Sequence, residues 1–257
     1  MYPKPSLIER LAATDAFLVG TWAKIPALET VELIGHVGFD FAVVDMEHAP
    51  HSFQTAYQAI AFGQSAGMPV IARAPDRSGS AAQRLLDAGI DGILVPRVET
   101  AEQAADVTAA MAFPPMGYRG MGYTSRAGRW GLDSAAEYLD HGRNRILRGI
   151  QIEDMGALEA IDDILQAPAL NAIFIGFGDL QLSSGLAASD PRLRGLEAKV
   201  LEAASARNIP CGTAVQKPAE AVRCRDAGYR YVMVSADTTL FANAARDLID
   251  ETRSALR

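Results

Sequence analysis

Residues 69–96 read "PVIARAPDRSGSAAQRLLDAGIDGILVP" and carry two periodicities in succession. Pro69–Arg73 and Gly92–Pro96 are near-continuously apolar, as strands buried on both faces of a parallel sheet must be. Between them, "SAAQRLLDAG" (80–89) places apolar residues three to four apart and closes on Gly. That spacing predicts a helix, and the Gly is its C-terminal stop signal. The unit is therefore strand, helix, strand.

The same unit recurs along the chain. Apolar runs also occupy Phe17–Trp22, Phe39–Asp45, Gly149–Glu153, Ala172–Gly176, Pro210–Ala214 and Tyr231–Ser235, which brings the total to eight. Helical patterns separate them, among them "SFQTAYQAIAFGQSAG" (52–67), "TAEQAADVTAAMAF" (100–113) and "RLRGLEAKVLEAASARN" (192–208). Eight β-then-α units in 257 residues predict an α/β fold of the (β/α)8 TIM-barrel type, as one domain over residues 1–257. A doubly wound sheet would want a Gly-rich dinucleotide turn after the first strand, and "VGTWAKIP" (19–26) is not one. About fifty residues lie between the fourth and fifth strands, including "FPPMGYRGMGYTSRAGRWGLD" (113–133). Connections of that length are usually functional or serve assembly.

Composition narrows the partners. A net charge of −7 argues against nucleic acid and anionic membrane surfaces. No apolar run is long enough to span a bilayer, and "MYPKPSLIER" (1–10) lacks the basic-then-apolar order of a signal peptide. Cys211 and Cys224 have no metal-ligand spacing and read as buried thiols of a cytoplasmic protein.

Barrel enzymes gather their chemistry at the C-terminal ends of the strands. Those ends carry Trp22, Asp45-Met46-Glu47-His48, Arg73, Pro96-Arg97, Gln151 with Glu153, Gly176 with Asp179, Thr213 with Gln216, and Ser235. Glu153 and Asp179 follow adjacent strands, so their carboxylates can share a hard divalent cation such as Mg²⁺ or Mn²⁺. His48 directly follows a strand beside two carboxylates, and imidazole is the side-chain type suited to proton transfer near neutrality. Arg73 is placed to stabilise a developing oxyanion. Only four lysines exist, Lys4, Lys24, Lys199 and Lys217, and none lies in the fifth or sixth run. Imine chemistry is not expected. The ends of strands 7 and 8 have no Gly-rich phosphate cradle, so an unphosphorylated substrate is expected.

The chain resembles the metal-dependent class II pyruvate aldolases of the 2,4-dihydroxyhept-2-ene-1,7-dioate aldolase family, which include 2-keto-3-deoxy sugar acid aldolases. The resemblance rests on "FDFAVVDMEHAPHS", "PVIARAP", "RLLDAGIDGILVPRVETAEQA", "FPPMGYRGMG", "QIEDMGALEAIDDIL" and "IFIGFGDL", in that order. It implies an aldolase of 4-hydroxy-2-oxo acids that yields pyruvate or hydroxypyruvate plus an aldehyde. It also implies a Mg²⁺, Mn²⁺ or Co²⁺ ion on Glu153 and Asp179, Arg73 at the oxyanion and His48 as base. By the same resemblance, Asp87 reaches that histidine from a neighbouring subunit, and Gln151, Gly178, Asp179 and Arg73 contact substrate. A homohexamer follows, with a C-terminal helix (Asp237–Arg257) exchanged between subunits. One departure stands out: "GFGDLQ" has Phe177 where the family usually has Pro, so Phe177 joins Trp22 and Glu47 as possible pocket residues. Two other readings stay open. One is a Mg²⁺-dependent malyl- or citramalyl-CoA-type lyase, whose nucleotide groove would draw on Arg126, Arg129, Arg143, Arg145 and Arg148. The other is a ligand-binding barrel without activity.

Overall fold

The computed structural model describes residues 5–13, 16–187 and 189–257. Eight parallel strands close into a barrel in chain order: β1 (Leu18–Ala23), β2 (Phe41–Asp45), β3 (Val70–Arg73), β4 (Gly92–Val95), β5 (Leu147–Ile152), β6 (Ala172–Ile175), β7 (Cys211–Val215) and β8 (Tyr231–Ala236). β8 pairs with β1, so no strand edge is left open. Among the described residues, α1 (Leu7–Ala12) precedes β1, and α2 (Leu28–His36), α3 (Phe53–Ser65), α4 (Gly79–Asp87) and α5 (Ala101–Met111) follow β1 to β4 in turn. A 3-10 turn (Arg126–Gly131) and α6 (Ala135–Asn144) occupy the long connection. The remaining helices are α7 (Met155–Glu159) and α8 (Ile161–Ile164) after β5, and α9 (Phe177–Ser184) and α10 (Pro191–Ala206) after β6. α11 (Pro218–Ala227) follows β7, and α12 (Asp237–Ala255) follows β8.

Strand alternation sorts the apolar residues into two layers. Trp22, Phe41, Val43, Ile71, Leu94, Leu147, Phe174, Tyr231 and Met233 pack together inside the barrel. The residues between them, such as Ala42, Val44, Ala72, Ile93, Ile150 and Ile173, face outward against the helices. Two interior glycines make room for rings: a Cβ on Gly20 would enter the ring of Phe41, and one on Gly212 the ring of Tyr231. The Tyr231 hydroxyl is buried but donates to the Ile173 carbonyl at 2.7 Å, so its burial leaves no polar group unpaired.

Leu7 and Leu11 of α1 join the interior layer, and Arg10 pairs with Asp40 just before β2. α1 therefore plugs the N-terminal mouth of the barrel. Its start is fixed by a capping box between Ser6 and Glu9. The opposite mouth is left for polar residues.

The strands begin and end within about two residues of the apolar runs. β5 starts at Leu147 rather than Gly149 because Arg148 belongs to it. That guanidinium is buried on the outer face, where it donates to the carbonyls of Gly142, Arg143, Ile146 and Ala169. A charge that reads as a strand boundary is a hydrogen-bond hub for four backbone carbonyls. Cys211 is buried as expected, but Cys224 is only half-buried: it packs against the core from α11, a helix with no fully buried residue. In α12 only Asp237 is buried, while Leu240, Phe241, Leu248 and Ile249 are exposed. No helix among the described residues is long and apolar enough to cross a membrane.

Candidate active site

Parity brings the polar residues to one place. Asp45 follows Val43 by two positions, Arg73 follows Ile71 by two, and Gln151 follows Leu147 by four, so all three point into the barrel at its C-terminal end. There Arg73 Nε donates to Asp45 Oδ1 at 2.9 Å and Nη2 to Oδ2 at 2.6 Å. Both residues are buried. The guanidinium sits 4.6 Å from the centre of the Trp22 ring, and Trp22 in turn meets Phe174 edge-on at 6.0 Å. Arg73 Nη1 also stands 3.3 Å from Glu47 Oε2.

Asp45 is the hub of this wall. Beyond Arg73 it meets Lys24 Nζ at 3.0 Å and accepts from the backbone N–H groups of Glu47 and His48. Burial alone would raise its carboxyl, but the Arg73 guanidinium and these donors overcome that and hold it well below the usual range. The asparagine-like turn made by Oδ1 also explains why the chain bends sharply after β2, leaving Glu47 and His48 at the mouth. His48 Nε2 lies 3.6 Å from Glu47 Oε2, with about half of the side chain exposed.

Glu153 and Gln151 form the second wall, one residue past and one residue before the end of β5. Glu153 Oε1 accepts from the backbone N–H of Arg97 at 2.6 Å, while its buried Oε2 has no hydrogen-bond partner. Gln151 Oε1 is likewise buried and unpartnered. Burial raises the Glu153 carboxyl; the Arg97 N–H opposes this, and the negative charges of Asp179 and Glu47 add to it. Asp179 lies in the first turn of α9 and is exposed. Gly176 keeps the space open, since a Cβ there would stand 3.0 Å from Glu153 Oε2.

An orphaned carboxylate oxygen beside a second carboxylate is what a divalent cation would complete. No group of three or more His, Cys, Asp or Glu side chains among the described residues is close enough to hold a metal without further ligands. Glu153 and Asp179 would leave the remaining positions to water and to a chelating substrate, so the donor set fits an oxygen-loving cation.

Not every candidate joins this cluster. Asp87 ends α4, a helix that runs from the C-terminal to the N-terminal end of the barrel. Within the chain it meets Arg119 at 3.4 Å, Gln83 at 2.7 Å and the Tyr138 hydroxyl at 3.4 Å, at the opposite end from His48. Phe177 turns to the outer layer, where the Arg194 guanidinium lies 5.6 Å from its ring centre. Gly178 is exposed with nothing crowding its Cα. Lys24, the lysine after β1, has its amine paired with Asp45.

The arginines considered for a nucleotide groove are also far from the cluster: Arg126 donates to Ala88 O, Arg129 pairs with Asp133, Arg145 with Glu9, and Arg143 donates to Pro114 O. Sequence reasoning put Asp45 and Arg97 at strand ends but gave neither a role. The signal for Asp45 lies in its parity with Val43; for the contact of Arg97 with Glu153 there is none, because the backbone N–H makes it.

The chain matches the HpcH/HpaI aldolase/citrate lyase family over residues 19–244. It is 31% identical over 249 residues to a 5-keto-4-deoxy-D-glucarate aldolase of Citrobacter koseri, covering 96% of each chain. A 2-keto-3-deoxy-L-rhamnonate aldolase of Klebsiella pneumoniae is 33% identical over 230 residues, covering 88% of this chain and 85% of the relative. Among solved structures, an HpcH/HpaI aldolase/citrate lyase family protein from Burkholderia cenocepacia superposes with a TM-score of 0.88 at 29% identity, over 96% of this chain and 98% of that one. The HpcH/HpaI aldolase from Desulfitobacterium hafniense gives 0.87 at 25% identity, over 96% of each. The match in sequence over nearly the whole length, on a barrel of the same shape, shows that the chain belongs to the HpcH/HpaI aldolase/citrate lyase family.

Proposed function

We propose that this carbon–carbon lyase cleaves a 4-hydroxy-2-oxo acid reversibly into pyruvate, or hydroxypyruvate, and an aldehyde. The observation that carries the reading is the buried, unpartnered Glu153 Oε2, which feels the charges of Asp179, Glu47 and Arg73, while Glu47 in turn meets Arg73 and His48. Glu153 and Asp179 would hold the cation, Mg²⁺, Mn²⁺ or Co²⁺, which when bound polarises the 2-oxo group of the substrate.

The chain's own residues divide the rest of the work. Arg73, held by Asp45 and Glu47, offers a fixed guanidinium to the oxygen that gains charge as the C3–C4 bond breaks. Fixing it beforehand removes reorganisation from the reaction step. His48 takes the proton of the C4 hydroxyl and returns a proton to C3 of the pyruvate fragment. Its exposure lets it exchange protons with solvent between the two transfers. Gln151 presents its amide to the substrate carboxylate, with Trp22 as the apolar floor. The Gly178 backbone lines the same side.

Asp87 serves the histidine of an adjacent subunit, which accounts for its place at the far end of its own barrel from His48. The largely uncovered α12, with Leu240, Phe241 and Leu248 exposed, supports its exchange between subunits of a hexamer. The sugar acid aldolases among the relatives support a polyhydroxylated 2-oxo acid as substrate. The free thiols of Cys211 and Cys224 fit a reducing compartment, the cytoplasm.

The test is hydrogen–deuterium exchange at C3 of pyruvate in D₂O, followed by NMR with Mn²⁺ or Mg²⁺ and again with EDTA. Exchange that needs metal and disappears in Glu153→Ala is expected. Exchange that survives thorough metal removal would overturn the cation assignment.

A further inference from the structure

Arg97 has a backbone that an L-residue seldom adopts. Its φ is +56°, in the left-handed region that normally belongs to Gly, Asn or Asp. It directly follows Pro96 at the end of β4, and two backbone contacts and a buried neighbour pin it. Its N–H donates to Glu153 Oε1 at 2.6 Å. Its carbonyl accepts from Arg77 Nη1 at 2.8 Å. The next residue, Val98, is completely buried. Strain at a non-Gly residue survives only where the surroundings over-determine it, and such places cluster at functional sites.

The side chain adds a second link. Arg97 Nη2 stands 2.8 Å from Glu47 Oε1, although two-thirds of that side chain is exposed. Glu47 itself is nearly buried, and its other oxygen faces both Arg73 Nη1 at 3.3 Å and His48 Nε2 at 3.6 Å. An ion pair with one exposed partner adds little stability. Its effect is on orientation: with Oε1 engaged by Arg97, Oε2 is turned to Arg73 and His48.

We propose that Arg97 is the positioning residue of this site, aiming Glu153 through its left-handed backbone N–H and Glu47 through its guanidinium. It joins the two walls of the pocket without touching substrate. The inference rests on the cation-holding role proposed above for Glu153.

The experiment separates backbone from side chain. Mn²⁺ affinity is measured by electron paramagnetic resonance on the full chain without substrate, and kcat and KM by pyruvate C3 exchange. Arg97→Gly and Arg97→Ala both lack the guanidinium and differ by one methyl, but only Gly enters the left-handed region freely. Arg97→Gly should bind Mn²⁺ within about threefold of wild type, and Arg97→Ala about tenfold more weakly than Arg97→Gly. Both should lose exchange turnover about tenfold, and Arg97→Lys should restore most of it by returning a cation to Glu47.

Equal Mn²⁺ affinity in the Gly and Ala variants overturns the backbone half. Equal exchange in wild type, Gly and Lys variants overturns the side-chain half. Wild-type protein that binds no Mn²⁺, or that binds it no better than Glu153→Gln does, overturns the proposal together with the reading beneath it. Should the Ala variant not fold, the Gly and Lys variants against wild type still decide the side-chain half. A Gly variant that binds Mn²⁺ tenfold more weakly than wild type would then refute the backbone half.

Discussion

Replacing Asp45 by Asn tests the hub of the pocket with an almost isosteric change. Asn retains an oxygen for Arg73 Nε and for the backbone N–H groups of Glu47 and His48. Its amide, however, would face Arg73 Nη2, now 2.6 Å from Oδ2, and Lys24 Nζ, now 3.0 Å away, setting donors against donors. Removing one partner of a buried ion pair costs about 3–5 kcal/mol. Arg73 keeps Glu47 at 3.3 Å and the Trp22 face at 4.6 Å, which puts the expected loss at the low end of that range. For a chain of this size about 3 kcal/mol lowers Tm by about 6–12 °C.

The assay is thermal unfolding of wild type and Asp45→Asn from pH 8 to pH 3. The sign of the pH effect follows from the direction of the Asp45 shift. Burial raises the carboxyl and Arg73 more than reverses it, so the folded value lies below the ordinary one. Its contribution is therefore fully present above the ordinary carboxylate value and is lost only as pH falls through the depressed folded value. The gap between the two proteins should be constant from pH 8 to about pH 5 and begin to close only below about pH 4. Activity should fall by about 10²–10³, as expected when an oxyanion donor is displaced. A Tm within 2 °C of wild type, or a gap that closes between pH 7 and pH 5, would refute the reasoning.

Two further predictions concern the framework. Burial, reinforced by the charges of Arg145 and Arg119, lowers the pKa of His141 to about 4. The fold therefore favours its neutral form and loses stability as pH falls from the ordinary 6.5 towards that value. His141→Gln should flatten this limb of the stability–pH curve, measured by urea unfolding at pH 7, 6, 5 and 4.5, and an unchanged slope would rule the histidine out. Gly212→Ala drives a methyl into the ring of Tyr231, which its bond to Ile173 O holds in place. Overpacking of this kind costs about 1–3 kcal/mol, so a variant melting within 1 °C of wild type would contradict this interior packing.

How far the sequence carries depends on which physical signal each feature leaves. The barrel was legible because parallel strands buried on both faces must be nearly all apolar, and eight such runs are hard to mistake. Register was not legible, and where a strand boundary depended on a charged residue the reading slipped: Arg148 belongs to β5, its guanidinium donating to four backbone carbonyls. Asp45, Arg73 and Gln151 could be assigned to the barrel interior from parity alone, once the strands were known. Phe177 could not, because it starts a helix, and the direction of a side chain there depends on how α9 leaves the barrel. It faces Arg194 and the outer layer instead of the pocket.

Arg97 and Asp87 were hidden for opposite reasons. The Arg97 contact to Glu153 is a property of φ and a backbone N–H, and side-chain identity gives no hint of it; an Arg after a strand reads as a solvated charge. Asp87 has an ordinary place in its own chain, paired with Arg119 and Gln83, so nothing in one barrel marks it as functional. Its proposed role needs a second copy to bring the N-terminal end of one barrel to the C-terminal mouth of another. The proposed exchange of α12 would meet the same need, since within one chain this helix has one buried residue in nineteen and leaves Leu240, Phe241 and Leu248 exposed. Chemistry that parity points inward is thus readable from one strand at a time. Positioning made by backbone geometry requires the folded chain, and completion by a neighbour requires the assembly.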